Sequence, residues 1–411
     1  MARVRAEIII VGDELITGEV MDINSYFIAK RFRDMGVEVT KITTVGDVRE
    51  EIKEAFLRAM EKNEIILSSG GLGPTLDDHT KEAVADILKK RLVIDDSILL
   101  KLKKRFKEQG VAMPGLATKQ ALVPKGATII ENPVGMAPGI IISINKKSLI
   151  LLPGTPEELK RMFEDSVIPY IEGKYSLPPI QIAVIRTTNL LETEIQDRLA
   201  KIMKKANNVR FSFHPTTTGV DIKMYLEGKR GLKKVIKEVE SYLVPNVYAI
   251  EEKEIEEVVG EILRRKNMLL SVAESCTGGL VQHRITNVPG SSEYFKGGIV
   301  AYSNEIKISE CGVKEATLKE HGAVSEEVAR ELAEGIRERY KADVGISVTG
   351  IAGPSGGTKE KPVGLVYMAV SDKEETVVEK RVFKGTRKMI KMQAAVAVLD
   401  LLRRFLLEII E

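Results

Sequence analysis

The chain has 411 residues, enough for roughly two to four domains with sizeable cores. Lys plus Arg number 62 against 59 Asp plus Glu, so no strong basic field draws in nucleic acid or an anionic membrane. There is no Trp and only 5% aromatic content, which argues against a base-stacking platform; two cysteines, Cys276 and Cys311, imply neither a disulfide framework nor a Cys-based metal site. No apolar stretch approaches a membrane span, and the N-terminal apolar run is too short for a signal peptide. A reducing, cytoplasmic setting is expected.

The run Glu7-Ile8-Ile9-Ile10-Val11 is β-branched without alternation, as a parallel strand covered on both faces should be. It stops at Gly12-Asp13-Glu14. Helical spacing follows over 24–35, a strand over 37–44, a helix over 48–62 and a strand over 64–69. Alternation of this kind predicts a doubly wound, mostly parallel sheet with ligands beyond the carboxyl ends of its strands. The third strand ends in Ser69-Gly70-Gly71-Leu72-Gly73-Pro74-Thr75-Leu76-Asp77-Asp78-His79-Thr80 and leads into a helix over 81–90. Glycines before a helix start suit a phosphate, although no Gly-Lys-Ser/Thr follows as in the nucleotide P-loop. Asp13, Glu14, Asp77 and Asp78 are expected to converge there as ligands of a hard divalent cation. The plainer reading is that Asp77, Asp78 and Thr80 cap the helix, and one of the aspartates is expected to do so. A turn-rich loop over 133–139 precedes a strand over 140–144, and a strand over 149–152 ends in Pro153-Gly154-Thr155-Pro156-Glu157-Glu158, which brings Glu157 and Glu158 to the same edge. Glu158 is read there as helix-start chemistry.

A break at 172–179 separates this region from a small α+β unit over 173–250, of βαββα order, without a catalytic cluster. A charged connector over 251–257 and a helix over 258–266 lead to Met268-Leu269-Leu270-Ser271-Val272-Ala273. This short buried strand is cut off by Glu274-Ser275-Cys276-Thr277-Gly278-Gly279 before a helix resumes at Leu280. A hydroxyl, a thiol and a carboxylate at a strand end, with glycines and a helix start behind them, make an active-site edge. Ser and Thr beside Gly are also common helix caps, and Cys276 reads as a buried filler. Strands over 295–302, 344–348, 363–370 and 376–383 follow, with a helix from Ser325 to Tyr340 and a long final helix over 388–407.

The stretches GDELITG at 12–18, SGGLGPTLDDHTKEAV at 69–84, NPVGMAPG at 132–139 and LPGTPEE at 152–158 resemble the N-terminal domain of the CinA family. ESCTGG at 274–279, VPGSSEYFKGGIVAYSNEIK at 288–307, GAVSEE at 322–327 and VTGIAGPSGGTKEKPVG at 348–364 resemble its C-terminal domain. The resemblance spans essentially the whole chain. It implies a molybdopterin-binding-like domain over 1–172 that acts as a metal-dependent ADP-ribose pyrophosphatase, giving AMP and ribose 5-phosphate. It implies a KH-type unit over 173–250, and over 251–411 an α/β amidase domain that converts nicotinamide mononucleotide to nicotinate mononucleotide and ammonia. A homodimer is implied too. The segment 176–250 is read as lacking a Gly-x-x-Gly loop with basic neighbours, so no RNA binding is expected.

On this reading Ser275 attacks the carboxamide and Lys307 or Tyr302 is its base, with Thr349 beside them. Amides around Gly278 and Gly279, or Thr349 and Gly350, hold the oxyanion, and Arg387 takes the phosphate. Glu274, Thr277 and Asn304 complete the substrate contacts. Taken alone, Tyr302 reads as packed, Lys307 as solvated and Arg387 as an ion-pair residue. No cofactor is expected for the amidase. At the other site Gly70, Gly71, Gly73 and Thr75 cradle the phosphates, with magnesium, manganese and cobalt all candidates for the metal. Three alternatives stand beside these: an N-terminal domain that binds a nucleotide or pterin without turnover, a competence-linked scaffold, and a redox role for Cys276.

Overall fold

The computed structural model describes residues 3–409. The outermost residues of the expected domains 1–172 and 251–411 lie outside that range. The chain divides into two compact units, one ending at Ile180 and the other beginning at Gln181, with residues 227–229 counted in the first.

In the first unit β1 (Arg5–Val11), β2 (Glu38–Val45) and β3 (Ile65–Ser69) open the chain. A small antiparallel pair, β4 (Leu92–Ile94) and β5 (Leu122–Pro124), flanks the helix Asp96–Glu108. Then come β6 (Thr128–Ile130), β7 (Gly139–Ile144) and β8 (Lys147–Leu152). The six-stranded sheet runs β2-β1-β3-β8-β7-β6. Its first four strands are parallel and its last two antiparallel. Along β1, Ile8 and Ile10 pack with Ile28 and Phe32, whereas Ile9 and Val11 pack with Ile52 and Phe56. Both faces are therefore covered by helices, which is why the strand carries no polar alternation. The stretch 91–131 holds a helix and short strands not foreseen above, although the Asp95 cap and the spacing of buried Ile98 and Leu102 mark that helix.

The second unit contains two sheets. β9 (Ile180–Thr187), β10 (Val209–Pro215), β11 (Val220–Glu227) and β12 (Val247–Ala249) form a four-stranded sheet in the order β10-β11-β9-β12. Its last strand completes the expected βαββα order. The segment does contain a Gly-x-x-Gly with basic centre, Gly228-Lys229-Arg230-Gly231, contrary to the expectation above. It joins β11 to the helix Leu232–Leu243, and both glycines take positive φ (124° and 123°).

β13 (Leu270–Glu274), β14 (Phe295–Val300), β15 (Val344–Gly350), β16 (Leu365–Ser371) and β17 (Thr376–Val382) form the five-stranded sheet. Its order is β14-β13-β15-β16-β17, so β13 is flanked by two parallel partners. The helix Arg387–Leu406 is buried along its second half and shares a core with this sheet. That helix also carries the fully buried pair Asp400–Arg403 at 2.8 Å. The pair reaches the four-stranded sheet region: Asn189 Nδ2 donates to Asp400 Oδ2 at 3.2 Å and Arg403 Nη2 to the Pro245 carbonyl at 2.6 Å. Charged groups so deeply buried persist because each finds a partner.

Candidate active sites

At the end of β13 the fully buried Glu274 turns its carboxylate onto the next helix, Leu280–Thr286. It accepts the N–H groups of Gly279 (2.9 Å), Val281 (3.1 Å) and Gln282 (2.8 Å). Three donors of the helix start are thus satisfied by one anion, which also suits the dipole. Glu274, expected on the substrate, is instead the cap that folds the loop. Gly278 and Gly279 take φ of 62° and 92°, a conformation glycine adopts freely. The loop pins Ser275 by its backbone: its N–H donates to Val348 O at 2.8 Å and its carbonyl accepts Gly278 N–H at 3.1 Å.

A second element brings the amine. β14 runs parallel to β13 and delivers Ala301 and Tyr302 to the same edge. The helix Asn304–Cys311 follows, capped by Ser303, and places Lys307 inward. Lys307 is 1% exposed. Its Nζ lies 3.2 Å from Ser275 Oγ, 2.8 Å from Ala301 O and 3.0 Å from Tyr302 O. An ammonium would donate all three bonds; a neutral amine donates to the two carbonyls and accepts the serine proton. Burial pushes the Lys307 pKa down, opposed only by the thiols of Cys311 and Cys276. The solvated-lysine reading is therefore set aside.

The other expected residues divide. Tyr302 is 62% exposed, and its hydroxyl pairs with Arg387 Nη2 at 3.2 Å instead of with Ser275. Arg387 also donates to Gly353 O at 2.7 Å. Thr349 is buried and its hydroxyl donates to Ala323 O at 2.7 Å, so a catalytic role for that hydroxyl is not what this geometry offers. Gly350 is half-buried at the end of β15, and Asn304 is exposed at its helix start. The amides of Gly278 and Gly279 are already bonded. Those of Cys276 and Thr277 have no acceptor outside their own residue among the described residues. Cys276 is buried and its pKa is pushed up to about 12, mainly by burial. A cleft of about 600 Å³ opens beside the loop, lined by Thr277, Gly278, Gly279, His283, Arg387 and Lys391 among others.

In the first unit a cleft of about 640 Å³ lies beyond the carboxyl ends of β1, β3 and β8. Gly12, Glu14, Asp47, Gly70, Gly71, Gly73, Thr75, Asp77 and Asp78 line it, and Glu158 faces it too. Added Cβ atoms on Gly70 or Gly71 would collide with Val11 O (2.1 Å) or Thr80 Oγ1 (2.2 Å), so these glycines serve close packing of the loop. Asp78 holds the loop as well. It accepts Gly73 N–H and Thr75 N–H, both at 2.8 Å, and the Thr75 hydroxyl. Lys119 closes the turn from outside, donating to Thr75 O (2.8 Å) and Asp78 O (2.6 Å). Asp78, expected as a metal ligand, has both oxygens engaged by its own loop. Glu158 accepts Asn132 Nδ2 at 2.5 Å and so braces the 132–137 loop instead of capping its own helix.

Asp13 and Asp47 exchange bonds, each backbone N–H donating to the other's carboxylate at 3.0 and 3.1 Å. Burial raises the Asp47 pKa, and the negative charges of Asp13, Glu14 and Asp77 raise it further against the Asp13 N–H. Four carboxylates thus share one rim; Asp47 was not foreseen, since Val45-Gly46-Asp47 reads as a plain turn. Among the described residues, no three His, Cys, Asp or Glu side chains stand together as a metal cage. The rim fits a cation of the magnesium type, which binds through one or two carboxylates and completes its shell with water and substrate phosphates.

A two-unit α/β architecture with acid-rimmed and serine–lysine sites at its sheet edges is the class the geometry defines. Residues 7–173 match the probable molybdopterin binding domain and residues 252–406 the CinA C-terminal domain. A competence-damage inducible protein of Caldicellulosiruptor saccharolyticus is 42% identical over 97% of this chain and 98% of its own. A CinA-like protein of Dictyoglomus thermophilum is 38% identical over 98% of this chain and 100% of its own. A crystal structure of CinA, of unknown function, from Thermoplasma acidophilum is 35% identical, covering 42% of this chain and 97% of that one with a TM-score of 0.38. The chain belongs to the CinA family.

Proposed function

We propose that the second unit is an amidase acting on nicotinamide mononucleotide, with Ser275 as nucleophile and Lys307 as its base. The observation that carries this is the buried Lys307 Nζ at 3.2 Å from Ser275 Oγ, with no carboxylate among the described residues to hold it charged. A hydroxyl is a poor nucleophile until a neighbouring base removes its proton. Neutral Lys307 takes that proton as Oγ bonds to the carboxamide carbon. The free N–H groups of Cys276 and Thr277 stabilise the oxyanion, the first lying directly after the nucleophile as in other serine hydrolases. The C–N bond then breaks, and the Lys307 ammonium returns its proton to the departing nitrogen as ammonia. Water, deprotonated by the regenerated amine, cleaves the acyl-serine to nicotinate mononucleotide. Arg387, anchored on Gly353 O, faces the nucleotide from the cleft wall. The test is product identification: purified protein and nicotinamide mononucleotide should yield ammonia and nicotinate mononucleotide, and Ser275→Ala should not.

We propose for the first unit a pyrophosphatase acting on ADP-ribose. One or two of the carboxylates Asp13, Glu14, Asp47 and Asp77 would hold a divalent cation, which when bound neutralises a pyrophosphate and acidifies a water. The chain's own part is positional: Asp78 and Lys119 fix the 71–75 loop against which the phosphates lie. That no three metal-ligating side chains stand together among the described residues supports a second reading, in which this cleft binds its nucleotide without turnover. Chelator-sensitive AMP release from ADP-ribose, abolished by Asp77→Asn, favours hydrolysis; tight binding without product favours the second reading.

A further inference from the structure

Thr277 is fully buried, and its Oγ1 has no hydrogen-bond partner. A buried hydroxyl left unmade costs about 1–3 kcal/mol, so such a group is commonly kept for something absent from the free protein. Thr277, two residues after Ser275 in the same loop, lines the 600 Å³ cleft, which Ser275 itself does not line. On the opposite wall Arg387 and Lys391 stand one turn apart on the same helix. A Cβ on Gly278 would come within 3.3 Å of Lys391 Nζ, so the missing side chain leaves the ammonium directly over the loop. Among the described residues neither Lys391 nor Arg387 has a carboxylate partner, unlike many cations of this chain. A cleft walled by unneutralised cations and an unsatisfied donor is built for an anion.

We propose that Lys391, with the Thr277 hydroxyl, forms a phosphate-monoester subsite that makes the enzyme select a mononucleotide over its nucleoside. Sequence reading gave Arg387 to the phosphate and missed Lys391, which looks like any helix-surface lysine. The subsite rests on the amidase reading for the identity of its ligand. Its cation and hydroxyl donate to the phosphate oxygens, while Arg387 stays tied to Gly353 O and Tyr302. Thr277 sits two residues from the nucleophile, so a phosphate seated there fixes where the ribose and carboxamide fall.

The test compares wild type, Lys391→Met and Thr277→Val on nicotinamide mononucleotide and nicotinamide riboside. Lys391→Met removes the charge but keeps the stem, and Thr277→Val keeps the shape. The ratio of kcat/KM, mononucleotide over nucleoside, should fall about tenfold or more in Lys391→Met, chiefly through KM, as loss of one charge-assisted bond implies. Lys391→Arg should restore most of it. Equal losses on both substrates, or an unchanged ratio, would overturn the subsite. Binding of nicotinate mononucleotide, the amidase product, by calorimetry with the first unit's cleft saturated by AMP and ribose 5-phosphate is the independent arm. If wild type releases no ammonia, the amidase reading fails, whereas nicotinate mononucleotide bound equally by wild type and Lys391→Met sinks the subsite alone. The calorimetric arm also covers a Thr277→Val protein too unstable for kinetics.

Discussion

Lys307 reaches the Ser275 hydroxyl at 3.2 Å while two backbone carbonyls, of Ala301 and Tyr302, occupy its other directions. The amine is positioned by main chain alone and carries no counter-charge. Burial holds its pKa below the ordinary lysine value of 10.5. The base is active when neutral, so kcat/KM for ammonia release should rise with pH and level off at an apparent pKa below 10.5. Lys307→Met and Lys307→Arg should each reduce kcat by roughly a thousandfold or more, the second because a guanidinium does not surrender its proton. A profile that keeps rising up to the pKa of a free lysine would remove Lys307 from the role of base.

Cys276 adjoins the nucleophile but is chemically quiet. With its pKa pushed up to about 12 by burial, it carries no appreciable thiolate at neutral pH. Cys276→Ser should leave ammonia release within about twofold of wild type, and alkylating reagents should label the thiol only as the protein unfolds. Rapid labelling that tracks loss of activity would point to a thiol mechanism instead.

Much of this arrangement was legible in the residues. The strand end and glycine turn marked the Ser275 edge, because a run such as 268–273 has few ways to fold, whereas Lys307 and Arg387 were assigned through the family resemblance and, taken alone, read as a solvated lysine and an ion-pair residue. What could not be read was direction. Glu274 and Asp78 look like ligands by type, yet both face backbone N–H groups of their own loops, a choice set by the local turn. Lys391 and Asp47 were invisible because their importance comes from what packs opposite them. Gly228-Lys229-Arg230-Gly231 was legible and overlooked, and β12 was too short for its pattern to show.

Glu274 should behave as a structural anion. Replacing it with Gln keeps the shape but turns an amide donor toward a row of N–H groups. The loss should be about 1.5–3 kcal/mol, that of a hydrogen bond to a charged group. In thermal unfolding this appears as a fall of several degrees in Tm. Well below that transition, KM for the mononucleotide should be unchanged. A raised KM with unaltered Tm would return Glu274 to the substrate.

Lys81 is a second buried lysine, 1% exposed, and its Nζ donates to Lys119 O at 2.7 Å behind the 71–78 loop. Burial lowers its pKa to about 8, with Glu82 pulling the other way. The unfolded chain then holds this proton more tightly than the folded one, so stability should rise between about pH 8 and 10.5. Lys81→Met should flatten that rise and raise Tm at pH 7. If wild type shows no such gain in chemical denaturation across that range, the ammonium is better solvated than its burial implies.

The acid rim of the first unit makes the opposite prediction. Burial and the charges of Asp13, Glu14 and Asp77 raise the Asp47 pKa, so the folded state holds that proton more tightly than the unfolded chain. The associated stability is fully present below the ordinary value of 3.8 and is lost as pH rises through the folded pKa. At neutral pH the rim is therefore under repulsion, and magnesium should relieve it, raising Tm in proportion to the logarithm of its concentration. Asp47→Asn should raise Tm without the cation and shrink the magnesium increment, because one of the repelling charges has gone. Magnesium affinity should weaken as pH falls through the Asp47 titration, since proton and cation compete for the same oxygens. A protein whose Tm ignores magnesium, and which Asp47→Asn only destabilises, would leave the Asp13–Asp47 exchange as a loop clasp and the cleft as a metal-free binding site.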